Sequence, residues 1–107
     1  MTTPKSVPYR VTYSTRVRER IVAMADEARE RGDGFAFVVA LREFDRRLAL
    51  YPQFGEQLYD MKLELGQFWI GFVRPIAMRY GVYDERREVV AGALPVLMPR
   101  DRDPAGE

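Results

Sequence analysis

The sequence predicts a two-layer α+β fold, a helix hairpin packed on one face of a twisted antiparallel sheet in the order β-α-α-β-β-β, with room for an extra strand. Three observations carry this expectation. From Thr15 to Tyr51 apolar residues recur at helical spacing, and from Leu58 to Val90 the chain breaks into short branched and aromatic runs punctuated by turn residues. Almost no connector separates the two helical stretches, so they must fold back on each other. A four-helix bundle would force Phe68 to Val90 into helix against many β-branched residues, Pro75 and two glycines.

Each element has its own signal. Tyr9-Arg-Val-Thr-Tyr13 alternates and reads as a half-buried strand with Tyr9, Val11 and Tyr13 on one face. Ser14 or Thr15 caps the first helix, whose apolar positions are Val17, Ile21, Met24 and Ala28. Gly32 suits the left-handed residue that ends it, and Asp33 is placed to cap the second helix, whose stripe runs through Phe37, Val38, Leu41, Phe44, Leu48 and Tyr51. Ile21, Leu41, Phe44 and Leu48 are therefore expected in the core. Pro52 stops the second helix. Leu58 to Leu65 forms a strand, Gly66-Gln67 a turn, Arg74-Pro75 a break in the next segment, and Asp84-Glu85 a turn before Val89-Val90. Pro95 and Pro99 end regular structure.

A chain of 107 residues with 47% hydrophobic content supports one domain, placed at 7–98, with loose tails at 1–6 and 99–107. The absence of Cys excludes disulfides and thiolate chemistry, and the absence of His removes the usual neutral-pH proton shuttle and the commonest nitrogen ligand for metals. With no compact carboxylate set either, no bound zinc is expected. No glycine-rich phosphate loop, metal-ligand helix motif or nucleophile elbow occurs, so no cofactor is expected. Seventeen basic and 16 acidic side chains leave a formal charge of +1, without the global field of a strongly basic nucleic-acid binder. No bilayer-length apolar run or signal peptide is visible, which makes the cytoplasm the expected compartment and excludes a membrane partner.

The residues that carry chemistry cluster in the second half: Lys62, Arg74, Arg79, Tyr80, Tyr83, Arg86 and Arg87. Alternation puts Arg79 and Tyr83 on one strand face, opposite Met78, Tyr80 and Val82, so a guanidinium and a phenol share the open side of the sheet. Such a pair suits a phosphate backbone and a stacked base. It also suits a solvated face whose arginines pair with Asp60, Glu64, Glu85 and Glu88. Arg42, Arg46 and Arg47 lie among Glu43 and Asp45 and read as a solvated helix surface.

The element order, together with Leu48-Ala-Leu-Tyr-Pro52, Leu58-Tyr-Asp-Met-Lys-Leu63 and Tyr80-Gly-Val-Tyr-Asp-Glu85 followed by Glu88-Val-Val90, resembles the RelE/ParE superfamily of plasmid stabilisation toxins over about residues 9 to 92. The resemblance implies a small bacterial toxin of a type II toxin-antitoxin pair, neutralised by a cognate antitoxin. Its action would be inhibition of DNA gyrase or metal-free cleavage of mRNA on the ribosome. In the cleaving branch Lys and Arg side chains on the sheet hold phosphate while a general base activates the ribose hydroxyl. Lys62 falls at the family's lysine, Ala77 stands nearest the expected arginine with Arg79 two residues later, and Ala91-Gly-Ala-Leu-Pro-Val-Leu97 replaces a basic segment and a tyrosine. The catalytic candidates reduce to Lys62, Arg79 and Tyr83, and the binding candidates are Lys62, Arg74, Arg79, Tyr83 and Arg86. Glu64, beside Lys62, is a weak candidate base. With the cleaving set incomplete, gyrase-type inhibition stands ahead of RNA cleavage, and the alternative is a non-enzymatic protein-interaction module that retains the toxin fold.

Overall fold

The first strand of the sheet lies beside the fifth. In the computed structural model, which describes residues 7–61 and 65–99, the order is β1 (Arg10–Tyr13), α1 (Thr15–Glu30), α2 (Gly34–Leu50), a single 3-10 turn (Pro52–Phe54), β2 (Glu56–Met61), β3 (Gly66–Val73), β4 (Ile76–Tyr83), β5 (Glu88–Ala91) and β6 (Val96–Leu97). The sheet runs β1-β5-β4-β3-β2, and β6 also pairs with β4. The helix hairpin carries the chain from β1 at one edge to β2 at the other, and an antiparallel meander walks back until β5 lies beside β1. That last pairing is parallel, Arg10 opposite Glu88 through Tyr13 opposite Ala91, so the sheet is mixed. The two helices cover one face and leave the other open.

Local chemistry sets most boundaries. Ser14 Oγ accepts from the Val17 amide at 3.2 Å and caps α1. Gly32 takes φ +81, and the Asp33 and Gly32 amides return to the Ala28 and Arg29 carbonyls. Asp33 occupies the cap position of α2 without capping it. Its backbone (φ −108, ψ 18) lacks the extended geometry that aims a cap side chain into the first turn, and its carboxylate lies 3.5 Å from Arg31 instead. Tyr51 leaves helical geometry at φ −157, ψ 69 ahead of Pro52.

Two other expectations move. Gly66-Gln67 is not a turn but the start of β3, and Leu65 just ahead of it holds φ +52. Pro95 does not end regular structure, because Val96 and Leu97 pair with Ala77 and Ile76, and the Met98 amide donates to the Pro75 carbonyl at 2.7 Å. Residues 1–6, 62–64 and 100–107 lie outside the described residues, which takes in both expected tails except Pro99.

The core fills the space between hairpin and sheet. Val17, Met24 and Ala28 of α1 and Phe37, Ala40, Phe44 and Leu48 of α2 meet Ile76, Met78, Tyr80 and Val82 of β4 and Val89 and Ala91 of β5. Phe44 packs edge-on to Phe54 (5.5 Å between centroids) and to Tyr80 (6.4 Å), while Phe54 and Tyr80 stack. Gly71 is required here, since a Cβ would stand 2.7 Å from Phe54 Cζ. The Tyr80 hydroxyl donates to the Pro52 carbonyl at 2.6 Å, and burial raises its pKa well above the phenol value. Ile21 and Leu41 are only half-buried and line a hollow with Tyr13, Arg42 and Asp45 on the flank of the hairpin. Val38 and Tyr51 are exposed, because the stripe that meets the sheet is Phe37, Ala40, Phe44 and Leu48, and Val38 is turned about 100° from Phe37.

Candidate functional site on the open sheet face

Period-2 alternation along β4 sends Met78, Tyr80 and Val82 into the core and Ala77, Arg79, Gly81 and Tyr83 to the open face. The register then fixes their neighbours. Ile70 lies opposite Arg79, Phe68 and Val90 flank Gly81, Phe72 and Val96 flank Ala77, and Glu88 lies opposite Tyr83. Tyr59 of β2 is opposite Phe68 with its ring 5.2 Å away.

Tyr83 lies flat because two glycines allow it. A Cβ at Gly66 would stand 2.7 Å from Tyr83 Cε1, and one at Gly81 would meet Met61 Cε at 3.2 Å and Tyr83 Cε2 at 3.4 Å. On the ring sits the Arg86 guanidinium, 4.4 Å from the centroid, and Arg86 is held in turn by Glu88 at 3.2 Å. Arg10 approaches the other oxygen of Glu88 at 3.7 Å. Beside the stack is a hollow of about 320 Å³ lined by Met61, Phe68, Gly81, Tyr83, Val90 and Ala93, among others. Arg79 is exposed and forms no hydrogen bond or ion pair among the described residues.

The turn that carries Arg86 is clasped to the start of the chain. Tyr9 donates its hydroxyl to Asp84 at 2.6 Å, Gln53 Nε2 reaches both Tyr9 and Asp84 at 3.3 Å, and the Arg87 guanidinium covers the Tyr9 ring at 4.1 Å while its Nε donates to the Val7 carbonyl. Burial and the Asp84 acceptor raise the Tyr9 pKa, so the hydroxyl stays a donor. Arg87 holds φ +50 at the end of this turn.

The structure thus brings Arg79, Tyr83 and Arg86 together and separates Arg74 from them. Arg74 sits at the far end of the β3–β4 hairpin, beside its cis peptide bond to Pro75 and beyond a strand of roughly 24 Å, in a second hollow with Phe35 and Glu43 of α2. Lys62 and Glu64 lie outside the described residues. Both oxygens of Glu88 are engaged by guanidinium groups, Arg86 at 3.2 Å and Arg10 at 3.7 Å. On the helices, Glu43 holds Arg46 (2.7 Å) and Arg47 (2.6 Å), which lowers its pKa to about 2 and makes this stretch an ion-paired surface. No group of three or more His, Cys, Asp or Glu side chains able to hold a metal ion occurs among the described residues.

The apolar half of this face escaped the sequence reading. Tyr59, Phe72 and Val96 are 56%, 49% and 55% exposed, so a surface of aromatic and branched side chains borders the arginines. The alternation of Phe68, Ile70 and Phe72 against Trp69 and Gly71 carried the signal. Comparison of the chain with protein-family models, with curated proteins and with solved structures finds no match in any of the three. No described helix is long and apolar enough to cross a membrane.

Proposed function

We propose that the protein is a toxin-like component of a type II toxin-antitoxin pair, as the RelE/ParE resemblance implies, and that it acts by binding a macromolecular target through the open face of its sheet. One observation carries this reading: an exposed guanidinium with no carboxylate partner among the described residues, Arg79, stands on the same face as the Tyr83–Arg86 stack and a border of exposed aromatic side chains. Charge steers and positions a macromolecule, flat rings and apolar area hold it, and a shallow hollow does not enclose a small substrate. The helix hairpin followed by the β2–β5 meander agrees with the element order of that superfamily.

Binding without cleavage is favoured over mRNA cleavage, because Glu88 is engaged by Arg10 and Arg86 and Ala77 stands near the expected arginine position. The same observation supports the second reading, a non-enzymatic interaction module. Induced expression in a bacterium tests them together. The toxin reading expects slowed growth that Arg79→Ala relieves, with gyrase supercoiling and ribosome-dependent cleavage assays naming the target. Growth equal to an empty vector, with folded protein confirmed, leaves the interaction module.

A further inference from the structure

The open side of β4 has a second regularity around its exposed arginine. Ala77, Arg79 and Gly81 follow at every second residue, so a guanidinium stands midway between two residues with little or no side chain, each about 6.8 Å away. Both small residues are flanked by larger apolar ones, Ala77 by Phe72 and Val96 and Gly81 by Phe68 and Val90, which leaves an apolar notch on either side of the cation. The Gly81 notch opens into the hollow of about 320 Å³, where residues 92 to 95 leave β4 between the Val90 and Val96 pairings. Arg79 forms no hydrogen bond or ion pair among the described residues, although Glu56 lies on the same row of the sheet beyond Ile70.

Building on the open face as the target-binding surface, we propose that it receives an extended, acidic protein segment with an apolar side chain two residues before and two residues after a carboxylate. Laid along β4, such a segment repeats at the same stride of about 6.8 Å, setting its carboxylate on Arg79 and its flanking side chains in the two notches. A helix fits less well. Its side chains four apart rise about 6 Å per step but turn about 40° each time, so the third contact falls about 80° out of line. A nucleic acid fits less well too. Its charge repeats at every phosphate, but the next guanidinium groups on this face, Arg86 and Arg10, are already held by Glu88, and Glu56 adds a second carboxylate. Phe68, Phe72, Val90 and Val96 offer no polar atom to a base edge.

NMR titration of the isotope-labelled full chain with capped heptapeptides tests it. Acetyl-Thr-Leu-Thr-Glu-Thr-Leu-Thr-amide should shift the amides of Ala77, Arg79, Gly81 and their cross-strand neighbours, and bind about tenfold tighter than the same peptide with lysine for glutamate. Arg79→Glu, at an exposed position, should invert that order. Moving the leucines next to the glutamate should weaken binding to the wild type. No shift on this face at millimolar peptide overturns the proposal, as do equal affinities for the glutamate and lysine peptides or indifference to the leucine spacing. A single-stranded RNA dodecamer titrated in parallel separates this proposal from the one it builds on. If RNA alone shifts the face, the acidic segment is wrong while the open face stands as the binding surface. If neither probe shifts it, the acidic segment is wrong and the growth test with Arg79→Ala decides the open face.

Discussion

The two faces of one sheet solve opposite problems with the same alternating strand. On the covered face of β4, Ile76, Met78, Tyr80 and Val82 are sealed under the hairpin, and the one polar group among them, the Tyr80 hydroxyl, is satisfied by the Pro52 carbonyl. On the open face, Ala77, Arg79, Gly81 and Tyr83 leave a guanidinium without a carboxylate partner among the described residues and a ring whose position depends on two glycines. The covered face is optimised for folding. The open face retains apolar area and a guanidinium that is unpaired among the described residues, neither of which folding requires, and this contrast is why the proposed binding surface is placed there.

The contrast can be broken from either side, and the covered side should give the largest effect. Phe44→Ala removes a fully buried ring that touches Phe54 and Tyr80, and should cost about 3 to 5 kcal/mol by denaturant unfolding. A loss below about 1 kcal/mol would place that ring outside the core. Tyr80→Phe leaves the packing and strips the Pro52 carbonyl of its hydroxyl donor, for an expected loss of about 1 to 2 kcal/mol. On the open side, Gly66→Ala drives a Cβ into the Tyr83 ring. It should cost about 1 kcal/mol and, more tellingly, lift Arg86 off its platform, which the ring-current shifts of the arginine side chain report by NMR. Arg79→Ala should change stability by less than about 0.5 kcal/mol. If the target is a nucleic acid, the same variant should lower the salt slope of binding by about one counterion.

The smallest effect is a pH dependence. Arg46 and Arg47 hold the Glu43 carboxyl at about 2, below its ordinary 4.5. A carboxylate whose folded pKa is depressed stabilises the fold above its unfolded pKa, and that contribution fades as pH falls from about 4.5 toward 2. Because Glu43 is partly open to solvent and both arginines are exposed beyond it, the change should be slight, and Glu43→Gln should flatten the stability curve in that window alone. An unchanged acid limb would show that the pair contributes nothing measurable.

Much of this was legible because it is local. The alternation of Met78 to Tyr83 places Arg79 and Tyr83 on the open side without any knowledge of the partners, and Ser14, Gly32 and Pro52 bound the helices by their own backbone preferences. What the sequence hid depends on residues far away. Gly66 resembles a turn glycine, yet it is needed for a ring seventeen positions later. Asp33 has the right side chain for a cap but is claimed by Arg31. The parallel pairing of β1 with β5 and the clasp from Tyr9 to Asp84, 75 residues apart, follow from the path of the whole chain. Arg74 resembles its fellow arginines in sequence and stands at the other end of the hairpin because no local signal measures distance along a strand.

The path itself sets a timetable. The hairpin of α1 and α2 is made first, but the strand it packs on, β4, follows 33 residues after Leu50 at Tyr83, roughly 2 to 7 s of synthesis. Through that interval Phe37, Phe44 and Leu48 lack the sheet they bury against, and β1 waits longer still for β5. Nascent chains arrested at residue 61 should therefore be cut readily by protease, and those extended past residue 99 with the tunnel cleared should resist it. The newborn protein is thus exposed to chaperones and to its own copies for most of its synthesis, and becomes a folded molecule only as its last strands emerge.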